Sequence, residues 1–78
     1  MPLYVTLISY IMNVIARNLV ELIKRSGMTH EDVAMKLGVG RTTISNYTTG
    51  YRKPDSDTIK KLCKVLDCTY EDLLGPLD

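Results

Sequence analysis

The sequence contains no tryptophan and no phenylalanine, so five tyrosines carry all of its aromatic bulk. It has one histidine, His30, and two cysteines, Cys63 and Cys68. Zinc sites need three or four such ligands at short, repeated spacings, and that pattern is missing. Two apolar-flanked cysteines read instead as reduced, buried thiols in a cytosolic protein. No serine or cysteine stands at a recognisable nucleophile spacing from His30, and no paired carboxylates suggest acid–base work, so an enzyme is not expected. Charge of one sign is lacking too, because ten basic residues nearly balance nine acidic ones.

A long hydrophobic run is also absent. The nearest approach is "PLYVTLISYIMNVIA" from Pro2 to Ala16, which is uncharged but broken by Thr6, Ser9 and Asn13. It is too short and too polar to span a bilayer comfortably. It has no basic leader, and cleavage after Ala16 would fall at the start of the first helix of the domain, which argues against an export signal. Two conformations stay open. Ile8, Ile11, Met12, Ile15, Leu19, Leu22 and Ile23 keep helical spacing, which would lengthen a first helix. Leu3 to Ile11 is also rich in β-branched residues and tyrosine, which would suit a strand. Residues 1–12 are therefore set apart as an apolar N-terminal extension, either an addition to helix 1 or a dimer contact. Met12 is an alternative start, which would make residues 1–11 an extension.

What is present fits one domain. A chain of 78 residues buries only about 60% of its unfolded surface, so its stability margin is thin and a second copy would help. Charge is distributed unevenly. Six basic residues against two acidic ones lie between Lys24 and Lys53, whereas Val65 to Asp78 holds four acids and no base. A basic middle suits a polyanion on one face, but on charge alone an ordinary solvated surface with chance clustering is the favoured explanation.

Glycines punctuate the remainder. Gly27, Gly38, Gly50 and Gly75 each follow a helical pattern, where a left-handed cap favours glycine. Matching start signals are Thr29 with Asp32, Gly40, Asp55 or Ser56 after Pro54, and Thr69 with Asp72. Five helices follow: up to residue 26, then 30–37, 41–49, 56–67 and 70–74. Spacing turns Val33, Ala34, Leu37, Ile44, Tyr47, Ile59, Leu62, Cys63, Leu66, Leu73 and Leu74 inward. Val39 is expected to fill a corner. There is no run of strands and no internal repeat, so the fold class is all-α.

The helix at 41–49 is poor on its own terms. "GVGRTTISNYTTG" places four threonines, a serine and an asparagine between glycines, costing roughly 3 kcal/mol against alanine. Residues 30–49 form one unit: an eight-residue helix, a tight turn at Gly38, and a nine-residue helix. Ile44 and Tyr47 dock the second on the first, and Ala34 permits close approach. That is a helix-turn-helix, whose second helix lies in the DNA major groove. Its outer face then needs short hydrogen-bonding side chains rather than helix formers. Arg41, Thr42, Ser45, Asn46 and Thr49 answer that need, because arginine reads guanine, asparagine reads adenine and a threonine methyl meets thymine.

Residues 13–75 resemble the Cro/CI-type (XRE) helix-turn-helix family of bacterial and phage repressors. "MTHEDVAMKLGVGRTTISNYTTG" at 28–50 and "KPDSDTIKKLCKVLDCTYEDLLG" at 53–75 carry the resemblance. It implies a compact five-helix, lambda-repressor-like domain that binds double-stranded DNA as a homodimer. By position, Arg41, Thr42 and Asn46 match base-reading residues, and Ser45 and Thr49 are further candidates for base or phosphate contact. His30 matches a phosphate-contacting position, and Arg52 and Lys53 match a phosphate-contacting loop. The sequence departs from the pattern in two ways. Ile23 and Thr48 stand where members often pair arginine with glutamate, and Gly40 replaces a serine or threonine cap. Packing in place of that ion pair costs little.

The expectation is a cytoplasmic transcriptional regulator, more repressor than activator, on a pseudo-palindromic operator, without cofactor, small-molecule ligand or membrane. Two rivals remain. One is an antitoxin or restriction-modification controller of the same fold. The other is a protein-interaction module that has lost DNA binding.

Overall fold

The computed structural model describes residues 3–75, and the side chains from Val14 to Gly75. Its elements are α1 (Leu3–Ser26), α2 (His30–Leu37), α3 (Arg41–Thr49), α4 (Ser56–Leu66) and α5 (Tyr70–Leu74). Among the described residues there is no strand. The backbone from Leu3 to Ile11 belongs to α1, so of the two conformations left open, the helical one is adopted. At 1.5 Å per residue, 24 residues make a rod of about 36 Å, close to the molecule's longest dimension of 38 Å.

One hydrophobic cluster joins all five helices. Ile15, Leu19 and Ile23 recur every fourth residue along α1 and meet Val33, Ala34, Leu37, Ile44, Tyr47, Ile59, Leu62, Leu66 and Leu73. α1 packs on α3 and α5, α2 on α3 and α4, and α4 on α5. Asn18 Nδ2 donates to the carbonyl of Leu73 at 2.9 Å, tying α1 to α5 across 55 residues of chain. No polar or charged side chain among the described residues is fully buried.

The inward face follows the spacing, with three exceptions. Leu74 is 38% exposed and Val39 36% exposed, while Cys63 is half-buried, as is Cys68. These residues sit at the edge of the core, where no further element among the described residues covers them.

Helix ends are closed by local chemistry. Thr29 and Thr69 each accept from the third amide of their helix, and Asp32 and Asp72 accept back from the threonine amides. Both are capping boxes. Asp55, rather than Ser56, caps α4 by accepting from the Thr58 amide at 2.8 Å. At the far ends, Gly27, Gly38 and Gly50 have positive φ. Gly75 does not: its backbone is extended at φ −155°. Instead Asp67, at φ 52°, is the left-handed residue that ends α4 one position earlier than the spacing suggests. Asp is among the few non-glycine residues that tolerate this conformation.

Candidate nucleic-acid interface

The candidate surface is built on α2, its turn and α3. After Leu37 the chain must reverse within three residues. Gly38 adopts φ 83°, and the Val39 amide donates to the Ala34 carbonyl at 3.0 Å while the Gly38 amide reaches Met35. This six-to-one closure leaves few carbonyls unsatisfied and fixes the direction in which α3 departs. α3 is then held from inside by Ile44, wholly buried, and Tyr47, 6% exposed. Tyr47 is thus a core residue rather than a stacking platform.

The remaining face of α3 follows from helix geometry. Residues 41, 42, 45, 46 and 49 fall within about 140° of arc, opposite Ile44 and Tyr47. Arg41, Thr42 and Thr49 are exposed, and Ser45 and Asn46 are half-buried. Two hydroxyls turn back to the backbone: Thr48 donates to the Ser45 carbonyl at 2.9 Å and Thr49 to the Asn46 carbonyl at 3.3 Å. With its proton so engaged, Thr49 offers its lone pairs and methyl group outward. Of the family's missing ion pair, Ile23 lies in the core at 4% exposure and Thr48 satisfies its own hydroxyl, so neither leaves a buried group in want of a partner.

Electrostatics set the start of α3 apart from those of α2, α4 and α5. α2, α4 and α5 all carry acids in their first turns, which suit the positive end of a helix, whereas α3 has none. It begins instead with Arg41, of the wrong sign for that end. Its N-cap, Gly40, makes no side-chain hydrogen bond, and a Cβ there would meet nothing within 4 Å. The capping carboxylates elsewhere are shifted. Asp32 and Asp72 lie below the usual carboxylate range because they accept from the amide and hydroxyl of Thr29 and Thr69. Asp55 is lowered by the Thr58 hydroxyl and amide.

The loop after α3 is fastened to it. The Gly50 amide donates to Tyr47, and the Arg52 amide donates to the Asn46 carbonyl at 3.1 Å. Pro54 is fully buried and anchors the far side. Between these fixings Tyr51, Arg52 and Lys53 are exposed. His30, the first residue of α2, is half-buried. Tyr51, at 82% exposure, and Met35, at 75%, are outward apolar-bodied residues whose exposure the spacing did not reveal. Met35 lies on the face of α2 away from Val33, Ala34 and Leu37, and Tyr51 lies in the loop after α3, where no helical period applies. Among the described residues, no group of three His, Cys, Asp or Glu could hold a metal ion, and no helix is long and apolar enough to cross a membrane.

Comparison with known proteins bears on this surface. A family model described as "Helix-turn-helix" matches residues 19–73, a span that holds α2, the turn, α3 and most of the core. The chain is 36% identical over 61 residues to the HTH-type transcriptional regulator ImmR of Bacillus subtilis (strain 168), covering 78% of this chain and 48% of that protein. It is 33% identical over 57 residues to the HTH-type transcriptional regulator AnsR of the same organism, covering 73% and 49%. An uncharacterized HTH-type regulator, YqaE, also of B. subtilis, is 32% identical over 59 residues, or 76% and 51%. The chain thus spans about half the length of the curated relatives it matches. No solved structure matches it with comparable significance.

Proposed function

Because the chain belongs to the Cro/CI-type (XRE) helix-turn-helix family, we propose that it is a sequence-specific DNA-binding transcriptional regulator. It acts as a repressor in the cytoplasm and needs neither cofactor nor small-molecule ligand. It binds a pseudo-palindromic operator as a homodimer. The observation that carries this reading is the composition of α3. Its inner face is fully used by Ile44 and Tyr47, while its outer face gives up helix propensity, an N-cap side chain and the favoured charge sign together. Docking that face in the major groove explains all three sacrifices.

In this pose Arg41, Thr42 and Asn46 read bases, with Ser45 and Thr49 beside them. Arg52 and Lys53 meet the phosphate backbone from the loop fastened to Asn46, and His30 meets it from the start of α2. Phosphate contacts of this kind set the register, and the base contacts supply specificity. Half-sites of a dimer lie about 34 Å apart, on one face of the duplex.

Selection from random duplexes with the purified protein, at moderate salt, tests the proposal. Enrichment of an inverted repeat supports a dimeric, sequence-specific binder and supplies the operator. A well-folded protein that enriches nothing, and whose binding to other partners does not weaken with salt, overturns it in favour of an interaction module. The net charge of +1 is the observation that keeps that second reading in view. Co-purification with a toxin would mark the protein as an antitoxin of the same fold.

A further inference from the structure

Cys63 and Cys68 are five residues apart, yet the fold brings them together. α4 ends at Leu66, and Asp67 turns left-handed. The Cys68 amide then donates to the Cys63 carbonyl at 2.9 Å, while the Asp67 amide donates to Lys64 at 3.3 Å. This closure sets the side chain following the cap against the one in the last full turn. Both thiols are free and half-buried. They share the wall of an open groove of about 550 Å³ between α4 and α5, together with Lys60, Lys64, Thr69 and Tyr70. Burial and the adjacent Cys63 push the Cys68 thiol up to about 12, and the carboxylates of Asp72 and Asp67 add to the rise. Cys68 is therefore protonated at rest and does not begin an exchange.

We propose that Cys63 and Cys68 are a disulfide-forming pair, oxidised by exchange with an anionic low-molecular-weight disulfide that enters the groove beside Lys60 and Lys64. The Cys63 thiolate attacks one sulfur of the incoming disulfide. That bond breaks, a mixed disulfide forms on Cys63, and the first half leaves as a thiol. The Cys68 sulfur then attacks the Cys63 sulfur and releases the second half. Two protein thiols are oxidised and one small disulfide is reduced to two thiols, which carry away both protons. The product clasps the end of α4 to the segment leading into α5. The two lysines flank the entrance with positive charge, and the carbonyl-to-amide bond between the two cysteines keeps the backbones close enough for a disulfide. This inference is independent of the DNA-binding reading.

The test uses the wild-type protein equilibrated in graded ratios of oxidised to reduced glutathione, with free thiols then blocked by iodoacetamide. Trypsin cuts after Lys61 and Lys64, so the disulfide leaves Leu62–Lys64 joined to the peptide that begins at Val65 until a reductant parts them. The expected result is this linked pair, formed at a ratio at least tenfold less oxidising in buffer than in denaturing urea, because the native turn preassembles it. In Cys68→Ser the reaction should stop at the mixed disulfide on Cys63. Overturning results are alkylation of both cysteines at every ratio, mixed disulfides alone in the wild type, a disulfide between two chains, or equal formation in buffer and urea.

Discussion

Asn46 shows what one residue can be asked to do. It is half-buried on the outer face of α3, and its carbonyl holds both the Thr49 hydroxyl and the Arg52 amide. Replacing Asn46 with alanine keeps the carbonyl, so the loop should stay in place. The expected outcome is relaxed preference at one base position and a loss of about 1–3 kcal/mol on the preferred site, measured by binding to single-base operator variants. Unchanged base preference would show that the reading face is assigned wrongly. Lys53→Ala should behave differently. It should weaken binding to all duplexes alike and lower the slope of affinity against salt by about 1. In the core, Leu19 is wholly buried, and Leu19→Ala should cost about 2–5 kcal/mol in denaturant unfolding. That is a large share of the stability of a small domain. Residue by residue, inwardness was readable wherever a helix neighbour exists to provide the cover, as at Val33, Ile44 and Leu62. It failed at Leu74 and Cys63, which sit at the edge of the core, and at Val39, a turn residue to which no helical period applies.

At the scale of the element, helix starts were more readable than helix ends. A capping box needs only two side chains three residues apart, so Thr29–Asp32 and Thr69–Asp72 could be recognised without a fold. Ends depend on one backbone angle. Asp67 takes the left-handed position usually given to glycine, and Gly75 declines it. Three capping carboxylates make the stability of these helices depend on acid. Asp32, Asp55 and Asp72 are lowered from an ordinary value of 3.8, so near that pH the unfolded chain binds more protons than the native one. Their contribution is complete above about pH 5 and drains away as pH falls through the lowered values. Thermal melts between about pH 6 and pH 2 should fall most steeply below pH 4, and Asp→Asn variants should flatten that fall. The uncapped start of α3 gives the converse prediction. Gly40 has the extended backbone of an N-cap, φ −78° and ψ 156°, and room for a side chain. Gly40→Ser should raise stability by a few tenths of a kcal/mol, read as a small upward shift in melting temperature. Helix 41–49 itself was readable only as a contradiction, a segment of poor propensity between two good ones. Tertiary docking through two residues resolves it.

For the whole molecule, the order and number of helices were visible in the glycine punctuation, while the conformation of residues 3–11 was not. β-branched residues and helical spacing pull in opposite directions there, and only the continuous backbone of α1 separates them. Assembly is a property of this scale. The proposed homodimer should sediment as twice the monomer mass at micromolar concentration. It should also protect two patches on the same face of operator DNA, about one helical turn apart.

The long-range joint between α1 and α5 has a consequence for synthesis. Leu73 is wholly buried, and its carbonyl takes the Asn18 amide from the other side of the sequence. A ribosome that has translated as far as α4 has therefore produced four helices with no lid for the α1 face. Until Leu73 clears the exit tunnel, that face of the nascent chain stays open to proteases. Arrested chains carrying C-terminal linkers that hold Leu73 inside or outside the tunnel should differ in how fast a protease cuts them.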